Sequence, residues 1–331
     1  MKIRSTGFAI GLCFLFILGN AAARAAVPPI KVVMTTGSFS EREAAIYVAE
    51  DLGFFRKYGV DLSFVQVRSG PIGMAALRSG ESQLHWGSVT AANIGAIAEG
   101  ADIVFVAGLI NKLTGAFVVN PKITSPAELR DKSLGVNSLS GGGWIFTMLT
   151  LDHWGLDPKR DRITIRTLGA DGVRAEAMIS GVIDGCQIGY TFAALLQNKG
   201  FRILADLEKL PIPYQGSGLI SRRNFIASSP MTVENVLRGL LDSVAFIRVP
   251  GNKPQVIKSL VKGLRLGRVE DAEEGYQSII NIYERKIYPS VDGIRNVIRL
   301  LSATNEKVRR LKAEDLVDDN VVKKLEKEGR F

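Results

Sequence analysis

SLGVNSLSGGGWIFTML, residues Ser133 to Leu149, reads as strand, glycine-rich turn and helix. Ser133 to Asn137 is short, apolar and suited to a strand. Ser138 to Gly143 cannot continue one, and from Trp144 to Leu151 an apolar pattern resumes that is long enough for a helix. Such a turn leaves backbone N–H groups free at the positive end of a helix dipole, and its glycines let a ligand approach the main chain closely. The turn is therefore a candidate cradle for an anion or polar group, with a plain tight turn as the alternative. No Gly-Lys-Ser/Thr follows, so it is not a Walker-type phosphate loop, and contiguous glycines do not make a GxGxxG dinucleotide site.

The same alternation extends in both directions. Ile30–Met34, Val60–Phe64, Leu84–Trp86 and Ile103–Ala107 read as strands. Ser40 and Glu43 form a capping box ahead of the apolar face Ala45, Ile46, Ala49 and Leu52. Gly70-Pro71 opens a helix with Ile72, Met74, Ala75 and Leu77 inward, and Gly87 to Thr90 opens another that ends at Gly100. Strands alternating with helices predict parallel-rich α/β sheets, whose ligands sit beyond the carboxyl ends of the strands. Gly70 to Gly87 and Gly172 to Gly189 repeat one pattern, with Ser79-Gly80 matching Ser180-Gly181, which predicts two similar lobes. Ser217 to Ser221 reads as a strand returning to the first lobe. From Ser229 the chain is mostly helical, and its charged, amphipathic tail from Asn305 is expected to pack on the first lobe.

A chain of 331 residues with 46% apolar and 23% charged residues has the composition of a globular protein with a large core. Lys2 and Arg4, the apolar run Phe8 to Leu18 and the small-residue site Ala23-Arg24-Ala25 form an export leader, residues 1–25. The net charge of +9 falls to +6 when Lys2, Arg4 and Arg24 leave with it. No basic run or arginine-aromatic array accompanies that charge, so it reads as a solvated surface and not as a nucleic-acid footprint. Loss of Cys13 with the leader makes Cys186 the sole cysteine, which excludes an internal disulfide. His85 and His153 are the only histidines, too few for a histidine-rich metal site.

Tyr47-Val-Ala-Glu-Asp-Leu-Gly-Phe-Phe55, Tyr58-Gly-Val-Asp-Leu62, Ala76-Leu-Arg-Ser-Gly-Glu81, Ser125-Pro-Ala-Glu-Leu-Arg-Asp-Lys132 and Ser180-Gly-Val-Ile-Asp184 together carry a resemblance. In their order and spacing the chain resembles periplasmic substrate-binding proteins of ABC transporters, of the NMT1/THI5-like (sulfonate, nitrate and thiamine-precursor, SsuA-like) type. The match runs from Ile30 to about Ser221. The resemblance implies a two-lobed α/β fold of the type II binding-protein class, with two hinge crossovers near 116–119 and 216–221. Lobe 1 would comprise residues 26–117 and 218–331, and lobe 2 residues 118–217. It further implies an exported periplasmic monomer without cofactor or metal that captures a small polar or anionic solute and delivers it to an inner-membrane ABC permease, with no enzymatic step.

The family's binding positions fall on strand-end loops, which here hold Ser38, Phe39, Gly87, Ser88, Ser138, Ser140, Gly141, Asp171, Tyr190 and Tyr214. Trp86, Trp144 and Tyr190 are candidate aromatic walls. Asp171 would repel an anion unless it pairs with Arg174, and it could equally bind a cationic or hydroxylated group. His85 and Cys186 read as structural residues on buried strands. Two other functions are open: a thiamine-pyrimidine-precursor-type enzyme of the same fold, against which the leader and the lack of a cysteine cluster argue, and a sensory ligand-binding protein. The leader reading carries its own check. Exported protein is expected to begin at Ala26 or within a residue or two of it on N-terminal sequencing, whereas intact Met1 recovered in membranes would refute cleavage.

Overall fold

The computed structural model describes residues 28–331, so the leader lies outside the described residues. Ten strands are present among them: β1 (Ile30–Thr36), β2 (Val60–Gln66), β3 (Leu84–Gly87), β4 (Ile103–Gly108), β5 (Ala116–Val119), β6 (Ser133–Val136), β7 (Thr164–Thr167), β8 (Gly185–Ile188), β9 (Arg202–Asp206) and β10 (Gly218–Arg222). They form two five-stranded sheets, ordered β2-β1-β3-β10-β4 and β7-β6-β8-β5-β9, flanked by helices. The protein is a two-lobed α/β fold.

Each sheet is parallel apart from one strand. β10 runs antiparallel between β3 and β4, and β5 antiparallel between β8 and β9. The reason lies in the path of the chain. β4 ends at the carboxyl rim of the first sheet, and the chain then enters the second sheet at its own carboxyl rim, where Ala116 pairs with Ile188. β5 must therefore run backwards. β9 ends at that rim with Asp206, the chain returns, and Gly218 pairs with Gly87 at the rim of the first sheet. The crossings are thus residues 109–115 and 207–217. The segments expected to cross, 116–119 and 216–221, are largely strands β5 and β10, each placed just after a crossing.

The two crossings pair with each other. Lys112 bridges Pro213, and Leu109 and Ile110 donate their N–H groups to the Ser217 carbonyl at 3.0 and 2.9 Å. Gly115 (φ +86°) and Gly216 are required there: a Cβ on either would lie 2.3 Å from the Ile188 carbonyl oxygen or 2.5 Å from that of Ile110.

Three apolar clusters fill the molecule. The first packs helices Ala44–Asp51, Pro230–Ile247 and Lys253–Leu264 on the first sheet and includes Val322 and Leu325 of the tail. The third lies under Ala175, Met178, Ile188 and Leu196 of the second lobe. The second spans both lobes through Phe105, Leu113, Phe117, Phe146 and Tyr214. Helix Gly70–Ser79 differs from expectation: Ile72 and Ala75 are exposed, and Gly73, Met74 and Leu77 face inward. Gly73 sets this rotation, because a Cβ there would fall 2.6 Å from the His85 ring.

Helix Pro230–Ile247 buries Val233, Val236, Leu237, Leu240, Val244 and Ile247 at helical spacing. Leu240 is fully buried. Leu240→Ala is expected to destabilise the fold by about 2–5 kcal/mol, read as a lower midpoint in urea unfolding with an unchanged slope.

Candidate functional site

The carboxyl rims of the two sheets enclose a chamber of about 50 Å³. The first lobe contributes the loop after β1 (Gly37 to Phe39), Arg42 and Glu43 at the next helix start, and the end of β3 with Trp86, Gly87 and Ser88. The second contributes Asn137 after β6, Gly142 and Gly143, and Asp171 and Arg174. Helix Gly142–His153 starts two residues before the expected Trp144, which aims its first N–H groups at the chamber. Three buried side chains on the walls have atoms without a partner: the indole Nε1 of Trp86, Oε1 of Glu43 and Nε of Arg174. Such atoms cost free energy in a dry interior and mark where a bound polar group gains most.

The sequence candidates divide. Ser38, Phe39, Gly87, Ser88 and Asp171 line the chamber. Ser38 is held by the Arg42 guanidinium at 3.0 Å and donates to Glu43 at 3.2 Å. Asp171 accepts from Arg174 at 2.6 Å and from the Gly189 N–H at 2.7 Å, so its charge is already satisfied. Ser138 lines an adjoining cleft, with its hydroxyl buried and unpartnered. Ser140, Gly141, Tyr190 and Tyr214 are not among the chamber walls. The Ser140 carbonyl instead accepts from the Ala92 N–H across the lobes at 3.0 Å, and Gly141 caps the helix. Tyr190 donates to Asp206 at 2.5 Å, while the buried Tyr214 donates to the Val89 carbonyl at 2.6 Å and meets Phe146 edge-on. Both hydroxyls are thereby committed within the protein.

Sequence reasoning missed Arg42, Glu43, Arg174 and Gln187 as walls, and Asn137, on the strand-end turn it identified, was not singled out as a contact. The Ser40/Glu43 capping box was the available signal for the first two, since it fixes a helix start at the rim. His85, pushed down to about 4 by burial, is neutral and hydrogen-bonded to Thr35 at 3.0 Å. Burial pushes the Cys186 thiol up to about 12, which leaves it protonated. A larger groove of about 1050 Å³ lies on the first lobe alone, but Arg248, Lys286 and Arg330 there are already paired with Tyr283, Glu326 and Asp242.

Glu41 joins the lobes. It stands in the short turn before helix Ala44–Asp51, and its Oε1 accepts from the Tyr190 N–H at 2.7 Å, at the start of helix Tyr190–Gln197 in the other lobe. Oε2 has no partner. It and Asp171 Oδ2 would lie 2.8 and 3.2 Å from a Cβ on Gly189, so only glycine fits between them. Burial, and after it the Asp171 carboxylate, raise Glu41 above its ordinary value of 4.5, against the opposing pull of its own N–H, the Tyr190 N–H and Arg42. In a form with the lobes parted, Glu41 would regain water. The closed form thus binds the proton more tightly, closure is favoured at acid pH, and it weakens as pH rises from 4.5 through the raised value. The scattering-derived radius of gyration is expected to increase over that window in wild type, with a closure constant falling by at most about tenfold per pH unit. Glu41→Gln, which keeps an acceptor for Tyr190, is expected to flatten the profile, and an equal slope in that variant would refute the assignment.

Comparison with known proteins follows the geometry. No curated protein matches the chain. Among solved structures, the chain is similar to the alkanesulfonate-binding protein SsuA from Xanthomonas axonopodis pv. citri bound to MOPS: 19% identity, 89% of this chain and 100% of that one covered, TM-score 0.72. It is also similar to the periplasmic nitrate-binding protein NrtA from Synechocystis PCC 6803, at 12% identity, 91% and 89% coverage and TM-score 0.72. The desulfurization enzyme DSZB shares the fold at 15% identity, 91% and 99% coverage and TM-score 0.60. A family model described as NMT1/THI5 like matches residues 41–251, which is most of both lobes, and the chain belongs to the NMT1/THI5-like family.

Proposed function

We propose that this is an exported, periplasmic solute-binding protein that encloses a small polar or anionic organic solute between its lobes and delivers it to an ABC permease. The observation that carries this reading is the chamber itself. It is walled by both lobes and lies at two opposed strand-end rims, with a helix start and the unpartnered Trp86 Nε1 facing into it. Micromolar capture corresponds to about −8 kcal/mol, within reach of a few hydrogen bonds to such groups in a site shielded from water. The fold relatives named for binding alkanesulfonate and nitrate support an anionic solute.

The desulfurization enzyme of similar fold keeps an enzymatic reading in view. The chemistry at the rim favours capture. The neutral His85, itself a chamber wall, is hydrogen-bonded to Thr35 through Nδ1, and Cys186, kept protonated by burial, sits in the core away from the chamber walls.

Mass spectrometry of solute released on denaturing protein purified from exporting cells tests capture, and repeated absence of any released or rebinding solute would refute it. Gly142 supplies the matching variant. A Cβ there would lie 2.7 Å from Ser88 Oγ in the opposite lobe. Gly142→Val is expected to hold the rims apart and weaken binding of the released solute at least about tenfold by calorimetry, with the unfolding midpoint little changed. Unaltered affinity would remove the cradle from the site.

A further inference from the structure

The chamber admits only a few heavy atoms. At about 50 Å³ it holds roughly three to five water-sized groups, taking ~10–15 Å³ of such volume for each. A second cleft of about 810 Å³ adjoins it and shares Gly37, Ser38, Phe39, Asn137 and Ala170 as walls. The wider cleft also runs between the lobes, with Val67 on one side and Leu168 and Val173 on the other. Its charged walls are Arg68 and Arg265, and no carboxylate is among them.

Both arginines are exposed, and neither forms an ion pair among the described residues. Arg265 holds a left-handed backbone (φ 52°) at the end of helix Lys253–Leu264, and its guanidinium lies 5.9 Å from the centre of the Phe39 ring. Phe39 is the hinge of the arrangement, since it borders both spaces and packs on the apolar clusters of both lobes. A polar chamber thus adjoins a wider cleft with apolar walls, whose charged walls are two arginines without an ion-pair partner among the described residues.

We propose that the solute is an elongated dianion with an apolar middle. This rests on the capture function proposed above and narrows its ligand. One anionic head enters the chamber at the start of helix Gly142–His153 and the Trp86 indole. The hydrocarbon or aromatic body lies along Phe39, Val67, Leu168 and Val173. The second anionic group meets Arg68 and Arg265. The body gains from leaving water, and the distal group gains a charge-assisted contact that a monoanion lacks.

Calorimetric titration of defined probes tests this. The probes are α,ω-dicarboxylates and α,ω-disulfonates of about four to ten carbons, benzene-1,4-dicarboxylate, the monoanions of equal length, and nitrate, acetate and methanesulfonate. The best dianion is expected to bind about five- to tenfold more tightly than its equal-length monoanion. That preference is expected to fall to about twofold or less in Arg68→Gln/Arg265→Gln, whose circular dichroism and unfolding midpoint should match wild type. The proposal is overturned if a short anion binds as tightly as any long one, if monoanions equal dianions, if the double variant keeps the preference, or if no probe binds. In each case a solute released on denaturation would leave the capture reading standing, so the two failures are told apart.

Discussion

The structure depends on one constraint of chain path: both crossings between the lobes leave and enter at carboxyl rims. β4 and β9 end at a rim, and β5 and β10 begin at one, so each sheet holds a single reversed strand at an interior position. Two covalent links joining rim to rim oblige the rims to face each other. The loops at these strand ends carry free N–H groups and helix starts, which are the parts of an α/β sheet suited to polar ligands. The chamber therefore follows from topology, and its selectivity from the side chains placed there.

Glu43 and Asp171 are among those side chains, and Glu41 lies beside them at the rim; all three acids are buried and each is satisfied differently. Asp171 is paired with Arg174 and capped by a backbone N–H within its own lobe. Glu43 closes a capping box and accepts from Ser38 and Ser40, again within one lobe. Glu41 draws its partner from the other lobe and, like Glu43, leaves one oxygen without any. A buried carboxylate with one unmet oxygen is costly, and that cost is relieved when the lobes separate. Glu41 thus orients closure without locking it, as reversible capture and release require.

Much of the fold was legible in the residues because alternating apolar runs, caps and glycine stops are local signals. The capping box at Ser40, the stop at Gly80 and the strand–turn–helix at Ser133 all stand where the sequence put them. The reversed strands were not legible, since strand direction depends on where the chain enters a sheet and not on the residues of the strand. The rotation of helix Gly70–Ser79 was hidden for a related reason: the face it buries at Gly73 meets His85, on the next strand in sequence but across the helix–sheet contact in space. At the site, the loops were identifiable but the facing of side chains was not. Tyr190 and Tyr214 sit on the right segments, yet their hydroxyls are taken by Asp206 and Val89, partners that only the folded chain brings near. Arg42 was passed over because an arginine in a helix's first turn reads as solvated surface. In the structure it lies over the ring of Phe146 from the other lobe, at 5.2 Å.

The placement of apolar and polar contacts between the lobes explains how a molecule with a shared core can still open. The apolar cluster common to both lobes passes through the crossings themselves, with Leu113 and Tyr214 on the two segments and Phe117 and Phe146 beside them. Contacts near the axis of a hinge move little when it turns, so this surface can stay covered. Among the contacts at the rims, Glu41 to Tyr190 and Ser140 to Ala92 are hydrogen bonds that water can replace at small net cost, while Phe39 packs on apolar clusters of both lobes. Exposing a comparable apolar area there would cost about 25 cal/mol per Å² and would hold the cleft shut. Under the proposed capture, rim contacts made largely of hydrogen bonds cost less to part than apolar area, which would let the binding of a solute decide between open and closed forms.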